Sequence, residues 1–412
     1  MAVRASAAGA RLVAVPLGIF LASRLFSTLF LLAGSGRQVA LVSSPAAHVE
    51  VPLPADPGYW GLVTNWDGQW YQTIALHGYP TDLPATGPLS QTAWAFYPGF
   101  PMLTRAVMWS TGLAFPVAAS VVSLIVAAVG MCLLYRLLER HANPFVAVAT
   151  VACLSTFVTG ILWQVAYTEG LALLFLMGAL LALSHRRLGL VLVCGVGLAL
   201  TRPITPALVA VVLADLAWRW HQRRRRPIRR AEAVGQLAVA GALAAATFIW
   251  PLTSAVLTGR GTAYLDTMQA WPTYRGGILS GGAVGGLAAD GNWGAAGAIV
   301  ALVAVLIVIV ARPQAALWGP LRAWALAYPA FILMVNGPSA SLARYAMLAI
   351  APLYPLPEPQ PPTPPQPPGR VTASRQQWVV LGVLVVLGLT CQYFWTREVF
   401  IVHEPGAVQV YP

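Results

Sequence analysis

Only 13 acids occur in this 412-residue chain, and three of them stand where a carboxylate could do chemistry. Asp67 lies in Asn65-Trp66-Asp67-Gly68-Gln69-Trp70-Tyr71, between two tryptophans. Glu169 heads an apolar run after Tyr167-Thr168, and Asp266 lies in Tyr264-Leu265-Asp266-Thr267-Met268-Gln269-Ala270-Trp271. A placed carboxylate can take a proton in a transition state. Arg202, Arg275 and Arg344 stand beside proline, tyrosine or glycine at the ends of apolar runs. A guanidinium offers a planar fork to phosphate or carboxylate. Each residue also has a plainer explanation. Asp67 and Glu169 can cap helices, where the dipole favours a negative charge. A polar loop can solvate Asp266, and Arg202 can reach up to interfacial water. His77, near Asp67, reads equally as a surface residue. There is no Ser-His-Asp order, no zinc cluster, no phosphate-binding glycine loop and no Asp-x-Asp pair.

The elements that must position these residues are membrane helices. Charged residues make up 9% of the chain and hydrophobic ones 58%, with a mean hydropathy of +0.69. A soluble domain would carry about 25% charge. The net charge of +12 comes entirely from arginine, because the chain has no lysine. Those arginines cluster between apolar spans, which fits membrane topology rather than nucleic-acid binding. Cys132, Cys153, Cys194 and Cys391 all lie in apolar runs and are expected to be buried small hydrophobes. Arg4 and Arg11 precede the first apolar run, Arg24 interrupts it, and no small-residue cleavage site follows, which predicts an uncleaved first span.

A helix needs roughly 20 apolar residues to cross the bilayer. On that basis about 11 spans are expected: Leu12–Ala33, Phe115–Leu138, Pro144–Trp163, Gly170–Ser184, Leu188–Leu200, Pro203–Trp218, Gly235–Leu257, Trp293–Ala311, Ala316–Val335, Ser341–Tyr354 and Trp378–Phe394. The whole of 1–412 reads as one all-α polytopic domain. Leu188–Trp218 is interrupted by Arg202, Pro203 and Pro206, so it is either a tight hairpin with its tip at membrane depth or one kinked helix. Broken helices at that depth are tolerated only against protein or a wet cavity. With the N-terminus inside, Arg136, Arg140, Arg186, Arg187, Arg219, Arg223–Arg226, Arg229, Arg230, Arg312, Arg370 and Arg375 all fall on the inner side. This is a positive-inside bias. It puts the proline-rich linker at 355–370 inside, and it puts Asp67, Glu169, Arg202 and Tyr264 outside.

The outer side carries the long segments. Gly34–Pro98 is too long for a simple connector and holds Trp60, Trp66, Trp70 and Trp94. Within it, Trp66, Trp70, Ile74 and His77 recur at helical spacing and Gly78 follows, which predicts a short helix at the interface with Asp67 in its first turn. A second outer loop, Thr258–Asn292, is glycine-rich after Arg275.

Trp66-Asp67-Gly68-Gln69-Trp70-Tyr71, Ile74-Ala75, Gly78-Tyr79 and Ala95-Phe96-Tyr97-Pro98-Gly99-Phe100-Pro101 together resemble the PIG-V-type mannosyltransferases, which are the GPI-anchor second mannosyltransferases and their bacterial relatives. Tyr167-Thr168-Glu169, Thr201-Arg202-Pro203, the 264–271 block and Ala343-Arg344-Tyr345 extend the resemblance along most of the chain. The chain departs from the pattern at Pro272-Thr273-Tyr274, where a Gly-Arg pair would follow Trp271, leaving Arg275 as the arginine of that block.

The resemblance implies a GT-C-type membrane glycosyltransferase in the plasma membrane that uses a polyprenyl-phosphate mannose donor outside the cytoplasm. It implies no cofactor, no metal and no nucleic acid. The acceptor would be lipid-linked, such as a phosphoinositide mannoside or a GPI-like glycolipid. Under that reading Asp67 is the base and Glu169 orients it or holds the acceptor. Arg202, Arg344 and Arg275 meet the donor phosphate. Trp66, Trp70, Tyr71, His77, Tyr264, Asp266, Gln269, Trp271 and Tyr345 line the substrate site. Direct in-line displacement would invert the anomeric configuration. Two rivals come from other classes. A lipid transporter or flippase would need paired broken helices in two related halves, and no internal repeat is present. The other is a non-catalytic subunit of a glycan-assembly complex.

Overall fold

Long runs of alanine, leucine and valine with scattered charge fold here as helices packed on helices. The computed structural model describes residues 2–42, 51–142, 144–225, 227–271, 319–336, 341–350 and 373–403. Among them there is no strand beyond one isolated antiparallel bridge between Leu41 and Leu53. The helices, in chain order, are α1 Ala2–Ser35, α2 Gly58–Leu62, α3 Asp67–His77, α4 Gly99–Thr111, α5 Phe115–His141, α6 Pro144–Ser155, α7 Glu169–Ser184, α8 Leu188–Ala199, α9 Thr205–His221, α10 Arg230–Ala246, α11 Ile249–Thr258, α12 Ala263–Gln269, α13 Gly319–Val335, α14 Ser341–Ala346 and α15 Arg375–Trp395. Local chemistry marks several ends. Pro116 and Pro206 sit in the first turns of α5 and α9, Arg140 and His141 close α5, and Ser374 with Gln377 makes a capping box for α15.

Four described stretches are long and apolar enough to cross a membrane: Ala10–Ser35, Phe115–His141, Arg230–Thr258 and Arg375–Phe400. α6, α7, α8 and α13 are apolar but shorter. The protein is therefore an all-helical, multi-pass membrane protein. α5 packs along α7 and α1, and α7 packs along α8. A second group forms where α9 meets α13 and α10, and α8 joins the two groups through α7 and α10. α8 and α9 each pack mainly on other helices, so the chain breaks at 200–204 between two separately supported helices.

Three expectations change. Pro144–Trp163 is not one span, because α6 stops at Ser155 and a 3-10 turn occupies Gly160–Trp163. The non-helical backbone there is buried in protein and bonded to it. The Arg24 guanidinium donates to the carbonyls of Gly160 (2.5 Å) and Ser155 (2.6 Å). Ser120 and Ser123 donate to the carbonyls of Gln164 (2.8 Å) and Val165 (2.7 Å). Irregular backbone at membrane depth survives only with such partners. Arg24, which interrupts the first apolar run, holds two of these carbonyls.

Ser341–Tyr354 is not a span either. α14 has six residues, a 3-10 turn follows at Met347–Ala349, and Ile350 has φ +64°, which ends the run. Lastly, the cysteines are all free, but only Cys153 is buried; Cys391 is exposed. The expected span Trp293–Ala311, Arg275, Arg226 and the linker at 355–370 lie outside the described residues.

The two ends of the helix bundle differ in chemistry. At one end Asp215 of α9 pairs with Arg186 in the α7–α8 turn and accepts from Gln236 of α10 at 2.9 Å. Beside them Arg219 pairs with Glu232 and donates to Gln236 at 3.0 Å. These contacts fasten the arginine-rich helix ends to one another. The opposite end gathers the starts of α3, α7 and α9 with α14.

Candidate active site

α3 begins where the sequence pattern places it, and it buries Trp70, Tyr71, Ile74 and Ala75 on one face. The residue before it, Trp66, has φ +57° and ψ −120°, a conformation that costs a tryptophan about 1–3 kcal/mol and must be held by its surroundings. The holding contacts come from the far end of the chain. The Phe400 carbonyl accepts from Trp66 Nε1 at 2.7 Å and from Asn65 Nδ2 at 3.2 Å. The Asn65 and Gln38 side-chain amides bond each other in both directions, at 2.7 and 3.1 Å. Gly68 lets this turn lie against the Val63 carbonyl and Ala166, since a Cβ there would stand 3.0 Å from that oxygen and 3.4 Å from the Ala166 Cβ. The turn fixes where Asp67 points.

Asp67 points at Arg344. The two side chains form an ion pair that is partly open to solvent on the Asp67 side, where 23% of the carboxylate side chain is exposed. Arg344 also donates to the Tyr345 hydroxyl at 3.3 Å, and its guanidinium lies over the rings of Tyr167 and Tyr345. Its Nε is 3.5 Å from Glu169 Oε1. The same Glu169 oxygen accepts from Arg202 Nη1 at 2.5 Å, and Arg202 Nη1 also lies 3.1 Å from Thr168 Oγ1. The result is one chain of alternating charge, Asp67–Arg344–Glu169–Arg202. Glu169 is fully buried, and its second oxygen, Oε2, has no hydrogen-bond partner among the described residues.

Arg202 owes its place to the broken helix. The 200–204 turn packs against the start of α4, where the Gly99 amide donates to the Leu200 carbonyl at 2.8 Å. A Cβ on Gly99 would stand 2.8 Å from that oxygen, so only glycine permits the approach. α14, too short to span, presents Arg344. Tyr328 of α13 supports it from below by donating to the Tyr345 carbonyl at 2.9 Å.

Above and beside the charged groups opens a cavity of about 440 Å³. Its mouth is aromatic: Trp70 stacks on Phe96, and Trp271 meets both edge-on. Burial first, then the Asp67 charge, pushes the Tyr71 hydroxyl above the ordinary phenol range, so it stays a proton donor. The far wall is apolar, formed by Ile204, Pro206, Phe248, Pro251, Phe331 and Val335.

Of the residues singled out in the sequence, Trp66, Asp67, Trp70, Tyr71, Arg202, Tyr264, Trp271, Arg344 and Tyr345 line the cavity, and Glu169 lies against it, bonded to Arg202. Three stand away from it. His77 is exposed at the end of α3, and Gln269 is exposed on α12. Asp266 accepts from Arg260 at 2.7 Å and from Thr262 at 2.6 Å, and Arg260 donates on to the Pro84 and Gly87 carbonyls. The Thr262 hydroxyl first, then Arg260, hold the Asp266 carboxyl below its ordinary range. Asp266 thus holds Arg260, which ties the segment before α12 to residues 84–87. Lining residues that sequence reasoning did not nominate include Thr168, Phe331, Asn336 and Ser341. Thr168 was within reach, because it belongs to the Tyr167-Thr168-Glu169 block. The α13 residues carry no signal beyond hydropathy. Among the described residues, no three His, Cys, Asp or Glu side chains gather closely enough to hold a metal ion.

No family model matches the chain, and no curated protein matches it. Among solved structures it is similar to ArnT from Cupriavidus metallidurans bound to undecaprenyl phosphate, with a TM-score of 0.45 and 13% identity. The match covers 81% of this chain, which spans 59% of the length of that structure.

Proposed function

We propose that this protein is a GT-C-type membrane glycosyltransferase of the PIG-V kind. It would move mannose from a polyprenyl-phosphate donor to a lipid-linked acceptor on the extracytoplasmic side of the plasma membrane, without a metal ion. The observation that carries the reading is the meeting of Asp67, Arg344, Glu169 and Arg202, drawn from four separate stretches of chain, beside one cavity with an aromatic mouth and an apolar wall. Such a cavity suits a ligand with a sugar, an anionic centre and a hydrocarbon tail.

In the proposed step the acceptor hydroxyl oxygen attacks the anomeric carbon while its proton passes to the Asp67 carboxylate. The bond from that carbon to the phosphate oxygen breaks, and the electron pair leaves on the polyprenyl phosphate. Arg202 and Arg344 neutralise the charge that develops there. Attack opposite the leaving group inverts the anomeric centre. Glu169, hydrogen-bonded to Arg202 and ion-paired with Arg344, keeps their forks aimed at one place. Trp70, Phe96 and Trp271 offer flat faces to the sugar.

The test is transfer of labelled mannose from polyprenyl-phosphate mannose into a lipid extract by purified protein. A general base contributes about a hundred- to ten-thousand-fold in rate. Asp67→Asn should therefore fold, bind donor and lose activity on that scale. A helix cap alone would tolerate Asn, which caps about as well as Asp. Near-parent turnover by Asp67→Asn would remove Asp67 from the role of base.

A further inference from the structure

Of the two Asp67 carboxylate oxygens, Oδ2 is held by Arg344 and is not free to take a proton from an acceptor. Arg344 in turn is engaged by Asp67, although it is one of two arginines that the described residues place there for a phosphate. We infer that the two functions are coupled by exchange. The donor phosphate takes Arg344 from Asp67, and that exchange frees Oδ2 as the base.

Three features of the geometry favour exchange over a fixed ion pair. Asp67, Glu169, Arg202 and Arg344 together carry no net charge, so an arriving phosphodiester brings an anion for which a cation must be given up. The Arg344 guanidinium lies over two tyrosine rings, 5.4 Å from the Tyr167 centroid and 5.1 Å from the Tyr345 centroid. Its other neighbours do not tie it to Asp67: Nη2 reaches the Tyr345 hydroxyl at 3.3 Å, and Nε lies 3.5 Å from Glu169 without forming a hydrogen bond. A planar cation resting on ring faces can shift in its plane without losing them. The third feature is Glu169 Oε2, buried and without a hydrogen-bond partner among the described residues. That oxygen can accept from Arg344 Nε once the Asp67 contact is broken, so the shifted arginine gains a partner as it loses one. An unbonded buried carboxylate oxygen is costly, so a hydrogen bond gained there favours the shifted position of Arg344.

This deepens the donor-phosphate part of the proposed function and rests on it, but its test needs no sugar transfer. Binding of a polyprenyl monophosphate to purified protein in nanodiscs is measured for four proteins: parent, Asp67→Asn, Arg344→Gln and the double variant. Coupling between sites usually amounts to about 5- to 150-fold. Asp67→Asn should tighten binding at least about fivefold, because Arg344 no longer has to leave a partner. In the Arg344→Gln background that gain should disappear. A gain that persists without Arg344 would be simple removal of a negative charge and would overturn the exchange. So would no gain at all, or an equal gain with polyprenol, which lacks the phosphate. If polyprenyl phosphate does not bind the parent, the donor reading itself fails. Should Arg344→Gln not fold, a structure of the parent with polyprenyl phosphate decides the matter. Arg344 must then lie on the phosphate and off Asp67, and a retained pair would overturn the inference.

Discussion

Asp67 and Arg344 are 277 residues apart in the chain and joined as an ion pair at the side of the cavity. A contact between such distant parts needs both partners to be held, and they are held differently. Asp67 is aimed by a strained turn clamped from the C-terminal segment. Arg344 is aimed by a short helix that stops after six residues, with Glu169 alongside it. Glu169 is the common neighbour of both site arginines, so it is where the site should be most sensitive.

Glu169→Gln keeps the shape but leaves Arg202 and Arg344 facing each other with no anion between them. Breaking a buried ion pair usually costs about 3–5 kcal/mol. Glu169 is 1% exposed and its two partners 11% and 7%, so solvent screens little of this. Glu232→Gln is the matched comparison, because its pair with Arg219 is partly exposed and should be worth under about 1 kcal/mol. Thermal unfolding in detergent should show a large drop for Glu169→Gln and a small one for Glu232→Gln. Equal drops would mean that the Glu169 network adds nothing beyond an ordinary surface pair.

The side of the membrane that the site faces can be read by labelling. The arginine bias predicts the Asp67 end outside and the Arg223–Arg230 end inside. Thr64, close to Asp67, is 3% exposed and would not label on either side. Thr86 and Arg224 are exposed at the two ends and serve instead. In a background with Cys391 and the other cysteines replaced, Thr86→Cys should react with an impermeant maleimide in intact cells. Arg224→Cys should react only after permeabilisation. The reverse pattern would remove the extracytoplasmic reaction along with the topology.

Sequence patterns carried far where the cause was local. Of the recurring Trp66, Trp70 and Ile74, the last two lie on the buried face of α3 and Trp66 stands just before it, while Pro203 with Pro206 marks the break that presents Arg202. They failed where hydropathy measures apolarity but not depth. Ser341–Ala349 reads as the start of a span, yet it is a short helix and a 3-10 turn packed inside the protein. α4 falls between the expected elements, since its 13 residues are too few to cross a bilayer. Pairing lies further from reach. Nothing in the sequence around Arg24 says that its partners are the carbonyls of Ser155 and Gly160, and nothing around Asp67 says that Arg344 is its neighbour.

The clamp on the Asp67 turn yields the last prediction. Gln38 and Asn65 are buried, bond each other reciprocally and lie outside the cavity, while Asn65 also reaches the Phe400 carbonyl. Gln38→Leu strands the Asn65 Oδ1, which accepts from Gln38 Nε2, at a cost of about 1–3 kcal/mol. Replacing both, as Gln38→Leu with Asn65→Leu, removes the stranded group and should recover most of that stability, because an apolar pair of similar shape is nearly neutral. Catalysis should not recover with it. Without Asn65 the Phe400 carbonyl loses one of its two donors, the turn before Asp67 relaxes, and a misplacement of about 1 Å can cost about a hundredfold in rate. The double variant should therefore show near-parent thermal stability and near-parent donor KM, with kcat down about tenfold or more. If kcat returns together with stability, Asn65 merely fills space, and the aim of Asp67 is set by α3 alone.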